Sequence, residues 1–143
     1  MSETLIITHN GRFHVDEIFA IAILSKFILN KKVDSLKIIR TRNSNDIKSF
    51  QENKDVYVID VGEKFESEMK NFDHHQPDDS LVWKDQLVHK EQKFEKINLS
   101  ACGLVWHEFL SHDHRHKYSA DVIQRITEFV QKVDLCDNGL KPW

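Results

Sequence analysis

Apolar positions along this chain recur in two rhythms, and the first half alternates between them. Leu5-Ile6-Ile7 is a short apolar run followed by a turn at Asn10-Gly11, which reads as a buried strand. From Asp16 to Asn30 the chain is apolar almost all round (Ile18, Phe19, Ala20, Ile21, Ala22, Ile23, Leu24, Phe27, Ile28, Leu29). That length favours a helix, with Asp16 and Glu17 at the end where the dipole welcomes carboxylates. Leu36–Arg40 reads as a second strand, Asn43–Gln51 as a short helix capped by Asn43 or Ser44, and Val56–Gly62 as a third strand ending in a glycine turn. A β-α-β-α-β order predicts an α/β fold, a parallel sheet flanked by helices with right-handed crossovers. Ligands of such sheets bind beyond the carboxyl ends of the strands. His9 and Asp60 both fall there.

The second half is less regular. Glu63–Phe72 is polar and reads as a loop or short hairpin, and Leu81–Lys96, charged and weakly apolar, as loop or surface helix. Ser100–Ser111 reads as a helix with Ser100 near its N-cap and Leu104, Val105, Phe109 and Leu110 on the buried side. Tyr118–Cys136 is the clearest amphipathic helix, with Val122, Ile123, Ile126, Phe129, Val130 and Val133 at helical spacing and a stop at Asp137-Asn138-Gly139.

A chain of 143 residues is expected to form one domain, residues 1–143, large enough for a core without staples. No stretch of about 18 apolar residues is present, and the N-terminus runs into a strand without a basic-apolar leader. The two cysteines, Cys102 and Cys136, have no framework spacing, which suggests a reducing compartment. Together these predict a cytoplasmic protein without a membrane partner. A formal net charge of −3 argues against a stand-alone duplex-binding module, yet two divalent cations would turn the balance positive and attract a small anion.

Four acidic and histidine clusters sit where elements begin or end: His9 to Asp16, Asp60, Asp73-His74-His75, and Asp134. Carboxylates and imidazoles gathered at one rim suit a pair of divalent cations, and paired cations suit phosphate-ester hydrolysis. Each cluster has a plainer reading. Asp16 could cap a helix, with His9 and His14 in a solvated loop, and Asp60 could cap a turn. Asp73-His74-His75 could be a polar turn ahead of Pro77, and Asp134 a solvated helix end. Against this, an unpaired carboxylate at the end of the apolar third strand is costly to bury. A carboxylate in the last turn of a helix opposes the dipole and should have a reason, such as a cation. One of His74 and His75 can bind a metal while the other reaches a phosphate oxygen, with Asp73 supporting an imidazole N–H. His-plus-Asp ligation suits Mn²⁺ or a similar ion, and no cysteine cluster suggests structural zinc. His112 to His116, His89 and His107 read as surface positions. Trp83, Trp106 and Trp143 are potential base-stacking platforms but read better as packing residues.

These residues resemble the melanocyte-proliferating-gene (Myg) family. The resemblance rests on Ile7-Thr8-His9-Asn10-Gly11-Arg12-Phe13-His14-Val15-Asp16-Glu17, Ile39-Arg40-Thr41-Arg42, Val58-Ile59-Asp60-Val61-Gly62, Phe72-Asp73-His74-His75-Gln76, Leu99-Ser100-Ala101-Cys102-Gly103-Leu104-Val105-Trp106, and Val133-Asp134 through Asp137-Asn138-Gly139. That family is grouped with the DHH phosphoesterases, which include RecJ-like nucleases, oligoribonucleases and family II pyrophosphatases. The resemblance implies two ions, with Mn²⁺ first and Mg²⁺, Co²⁺ or Zn²⁺ as alternatives. One ion would take His9, His14 and Asp60, the other Asp16, Asp60, His74 and Asp134, with Asp60 bridging. His75 would face the substrate phosphate, the helix starting near Ser100 would offer it backbone N–H groups, and Arg40 or Arg42 would assist. Asp60, His74 and His75 would carry the catalysis. The family is described as a 3′–5′ exonuclease acting on RNA. Its members usually continue into a second domain, whereas this sequence ends soon after the fourth motif.

The expected function is therefore that of a divalent-metal-dependent phosphodiesterase acting on short single-stranded RNA or a small phosphate ester. A pyrophosphatase or nucleotide phosphatase is the alternative within enzymes. A metal-holding interaction module without turnover is the alternative outside them. An open site also leaves room for a second copy or a partner subunit to cover it.

Overall fold

The computed structural model describes residues 4–73, 87–89, 92–94, 98–111 and 117–137. The first half follows the predicted order: β1 (Thr4–Thr8), α1 (Val15–Ile23), β2 (Leu36–Arg40), α2 (Ser44–Gln51) and β3 (Val56–Ile59). β1 lies between β2 and β3 and pairs with both in parallel, Ile6 opposite Ile38 on one side and Tyr57 on the other. The chain thus steps outward from β1 to β2 and then crosses back to β3. That reversal makes the carboxyl ends of β1 and β3 a topological switch point, the crevice where open α/β sheets hold ligands.

Beyond β3, β5 (Asn71–Phe72) continues the sheet in parallel, and β4 (Phe65–Glu66) closes its edge antiparallel, giving the order β2-β1-β3-β5-β4. The β4–β5 pair realises the short hairpin expected between Glu63 and Phe72. Strand alternation divides the core. Ile6, Tyr57, Ile59 and Phe72 pack with α1, α3 (Ala101–Leu110) and α4 (Ala120–Asp137). Ile7, Val56 and Val58 face the other way, toward Ile47 of α2. Each face is covered by helix, as expected for parallel strands without a solvent side.

Several boundaries differ from the sequence reading, each for a local reason. The helix expected from Asp16 to Asn30 is α-helical only to Ile23. It widens into a π-helical stretch over Leu24–Leu29 and stops at Asn30, which adopts a left-handed φ of 50°. This stretch sets Phe27 against Trp106, Phe109 and Tyr118 at ring-centroid distances of 5.3, 5.3 and 5.0 Å. The third strand ends at Ile59 rather than Gly62, because Asp60 turns to a φ of 60°. Within the stretch read as loop or surface helix, two strands pair antiparallel, β6 (Leu87–His89) and β7 (Gln92–Phe94). Strands of three residues are too short to impose a period of two on so charged a segment. On α4, Val130 and Val133 are buried, but Val122 and Phe129 stand at the surface, 39% and 43% exposed.

Candidate metal centre

The loop joining β1 to α1 is tied down by the strand beside it. Gly11 has a φ of 87°, a region L side chains avoid. Arg40 Nη2 donates to the Gly11 carbonyl (2.9 Å), and Arg42 Nε donates to Asn10 Oδ1 (2.9 Å). The loop ends at His14, the N-cap of α1, whose backbone N–H donates to Glu17 Oε1 (3.0 Å). His14, not Asp16, therefore caps α1, and the Asp16 carboxylate is directed elsewhere.

His9 is the pivot. Its Nε2 lies 3.2 Å from Asp60 Oδ2 and 3.2 Å from Glu17 Oε1, and His9, Asp60 and Glu17 are all buried. Its Nδ1 is 3.1 Å from the Asn10 carbonyl, the nearer of two contacts, with Arg42 Nη2 at 3.4 Å. With the proton on Nδ1 given to that carbonyl, Nε2 turns its lone pair toward two carboxylates, an arrangement that a cation between them satisfies. The His14 ring stacks obliquely over that of His9, centroids 4.7 Å apart. One donor atom each from His9, His14 and Asp60 lie within 4.8 Å of one another. Donors sharing an ion at about 2.1 Å lie at most about 4.2 Å apart. The exposed His14 can supply the small inward movement required. Asp60 has a φ of 60°, a strained value for a non-glycine residue and a feature that gathers at functional sites.

A second cluster forms at the N-terminus of α3. Asp16 Oδ1 accepts from Cys102 N (2.7 Å) and Oδ2 from Ala101 N (3.2 Å), while Asp134 Oδ1 accepts from Gly103 N (3.1 Å). Both carboxylates are thus satisfied by the helix end whose dipole favours them. This is also the reason for an acid in the last turn of α4. Asp134 is not a solvated terminus but is fully buried against α3. Gly103 makes the approach possible, since a Cβ there would come 2.1 Å from Asp134 Oδ2. Ser100 Oγ lies 2.5 Å from Asp16 Oδ1 and 2.5 Å from Asp134 Oδ1. A hydroxyl has one proton to give, so a proton on one carboxyl completes the second bond. The surroundings of Asp16 favour the protonated form. Burial, then the charges of Asp60 and Asp137, lift its carboxyl well above the ordinary 3.8, against the pull of the Ser100 and Cys102 hydrogen bonds. The Asp60 charge acting on Asp16 couples the two clusters. The N–H groups of Ala101, Cys102 and Gly103, expected to meet a phosphate, are given to carboxylates instead.

Around this edge Asp16, Glu17, Asp60, Asp73 and Asp134 are each at most 4% exposed. Asp73 Oδ2 accepts from Glu63 N (2.7 Å), which fixes the turn after Asp60. Arg40 is half-buried, its Nη2 3.7 Å from Glu17 Oε1. Arg42 is exposed and borders an open cleft of about 470 Å³ together with Ser44, Gln51, Asp60, Gly62 and Asp73. His74, His75, Trp83, His112 to His116 and Trp143 lie outside the described residues, as does the side chain of His89. His107 is exposed, and Trp106 is a packing residue, its Nε1–H donating to Thr127 Oγ1 (2.8 Å). Two participants escaped the sequence reading. In the sequence Glu17 reads only as a dipole partner, although its spacing of three from His14 is that of a capping box. Phe13, 66% exposed between the two histidines, was not singled out.

The sheet order and the trio at its switch point place this chain among α/β domains that carry a histidine-carboxylate cluster beyond their strand ends. The family model MYG1_exonuc, described as an uncharacterised protein family (UPF0160), matches residues 5–143, and the chain belongs to that family. It is 34% identical over 137 residues to a MYG1 protein of Chlamydia trachomatis, covering 92% of this chain and 37% of the relative. Over 150 residues it is 29% identical to a human protein named MYG1 exonuclease, covering 95% of this chain and 36% of the relative. A MYG1 protein of Dictyostelium discoideum is 31% identical over 157 residues, covering 99% of this chain and 40% of the relative. The chain thus spans well under half the length of these relatives. No solved structure gives a significant match. No helix among the described residues is long and apolar enough to cross a membrane.

Proposed function

We propose that this domain is the metal-binding, catalytic part of a phosphodiesterase of the DHH type that removes nucleotides from short single-stranded RNA in the 3′–5′ direction, using Mn²⁺ in the cytoplasm. The observation that carries this reading is the trio His9, His14 and Asp60, whose donors lie within 4.8 Å at the sheet's switch point. The exonuclease name of the human relative agrees with it. His9 and His14 would hold one ion, Asp16, Asp134 and His74 would hold a second, and Asp60 would be available to both. Divalent ions, when bound, supply Lewis acidity and charge neutralisation toward a phosphate.

The chain's own groups do the rest. The Asn10 carbonyl keeps the His9 ring turned so that Nε2 faces the Asp60 and Glu17 carboxylates. Glu17 adds negative charge beside it. Ser100 positions Asp16 and Asp134 rather than the substrate. Arg42, exposed at the cleft, draws in the phosphate, and His75 meets the scissile phosphate.

The test is metal analysis of the protein purified with Mn²⁺, followed by hydrolysis of a 5′-labelled short oligoribonucleotide. Bound Mn²⁺ and stepwise shortening from the 3′ end are expected. Full occupancy with no turnover would favour a metal-holding interaction module instead.

A further inference from the structure

The Phe13 ring projects from the loop that carries His9 and His14, and it is more exposed than any other large apolar side chain among the described residues. It is nevertheless held in place. The Arg40 guanidinium lies 3.8 Å from the ring centroid and is anchored in turn by the Gly11 carbonyl at 2.9 Å. Arg40 also stands 3.7 Å from the carboxylate of Glu17, which touches His9. One face of the aromatic ring is therefore backed by a cation, and the ring sits a few residues from the proposed metal site. Val15 and Ile18, close by in sequence, are also exposed, and Arg42, an exposed cation, is bound to Asn10 of the same loop.

We propose that Phe13 is a nucleobase platform: the base of the nucleotide being removed stacks on it while the adjoining phosphate meets the metal site. Proteins that hold single strands without reading sequence combine base stacking on aromatic rings with a cationic groove. A small base-free phosphate ester would gain nothing from such a ring. The platform thus deepens the proposed function by fixing the substrate as one that carries a base, and it rests on that reading.

The experiment compares the parent protein with Phe13→Ala and Phe13→Trp. Substrates are a short oligoribonucleotide and the same oligomer with an abasic 3′-terminal residue, both with Mn²⁺. Phe13→Ala is expected to lower the ratio of kcat/KM for the base-bearing over the abasic substrate about tenfold, mostly through KM, and Phe13→Trp to restore it. An oligomer carrying 2-aminopurine at its 3′ end should be quenched on binding the parent and not the alanine variant. This reading does not need turnover, so it tests the platform even if the proposed activity fails. Equal losses on both substrates, unaltered quenching, or a shift in oligomeric state that tryptophan does not reverse would overturn the proposal. The last outcome would make Phe13 a protein contact.

Discussion

Two carboxylate clusters share this edge of the molecule and solve the problem of buried charge differently. At the start of α3, Asp16 and Asp134 rest on three peptide N–H groups and the Ser100 hydroxyl, a local arrangement that compensates negative charge without any ion. Across the crevice, Asp60 and Glu17 converge on the Nε2 of His9, with His14 behind it. There an imidazole stands where the other cluster has a helix end. The contrast implies an order of filling. An ion at the Asp16–Asp134 side must compete with hydrogen bonds already made and with any proton that the raised pKa of Asp16 retains. An ion at the histidine side meets donors turned toward it. The histidine site should therefore be the tighter of the two.

The largest effect is expected at Asp60, the residue proposed to serve both sites. Asp60→Asn keeps the side-chain size but removes the charge. Tight Mn²⁺ binding is expected to disappear, and turnover to fall by on the order of 10³-fold, beyond the 10–100-fold usual for residues one layer further from an ion. The apolar core should still unfold cooperatively, as monitored by circular dichroism. Unchanged metal content would refute both the trio and its bridging role.

Glu17→Gln probes the histidine side alone. The amide can still accept from His14 N–H or Thr8 Oγ1, the two neutral donors on Glu17. The negative charge beside His9 is lost. The Kd for the first Mn²⁺ should rise roughly 10–100-fold by calorimetry, while the weaker site changes little. Equal effects on both would show that the two clusters act as one.

Gly103→Ala acts on the other side. The added methyl meets the Asp134 carboxylate, which must withdraw from its N–H partner. Overpacking of this kind costs about 1–3 kcal/mol, so the thermal midpoint should drop by roughly 3–10 °C. The tight Mn²⁺ site should survive and the weaker one disappear in a titration. Loss of both would remove the distinction between the clusters.

Much of the scaffold was legible because parallel strands and amphipathic helices leave a period in the sequence. The alternation of Ile6 and Ile7, and of Tyr57 and Val58, between two covered faces follows from that period. His9 and Asp60 were placed at one rim because strand ends in a β-α-β-α-β order must meet there. Pattern could not show contacts made across distance. Asp16 meets Ser100 from 84 positions away, and no period connects them. Glu17 reads like any acid in a first helical turn, and only the turn of the loop between β1 and α1 brings it to His9 and Thr8. Gly103 reads as a weak point in a helix until Asp134 is seen against it. The β6–β7 pair leaves no mark in the sequence because six residues in two short strands carry too little pattern to outweigh their charged surroundings.

The finest distinction between the clusters lies in pH. An acid whose folded pKa is raised binds its proton more tightly in the native state than in the unfolded chain. Its contribution to stability is present at low pH and is lost as pH rises from the unfolded value toward the folded one. Asp16 is such a group, lifted chiefly by burial and then by the Asp60 charge from an ordinary 3.8. Asp16→Asn resembles the protonated acid and does not titrate. In metal-free protein, the urea midpoint of the parent should therefore fall relative to that of Asp16→Asn as pH rises above the ordinary carboxyl range. Saturating Mn²⁺ should reverse the order at neutral pH, because an ion at this site needs the carboxylate that asparagine lacks, and its binding should release protons into a weakly buffered solution. A parent-variant difference that is flat with pH in the metal-free state would mean that Asp16 is already ionised on the α3 N–H groups. The second ion would then have no proton to displace, and the order of filling would have to come from the α3 hydrogen bonds alone.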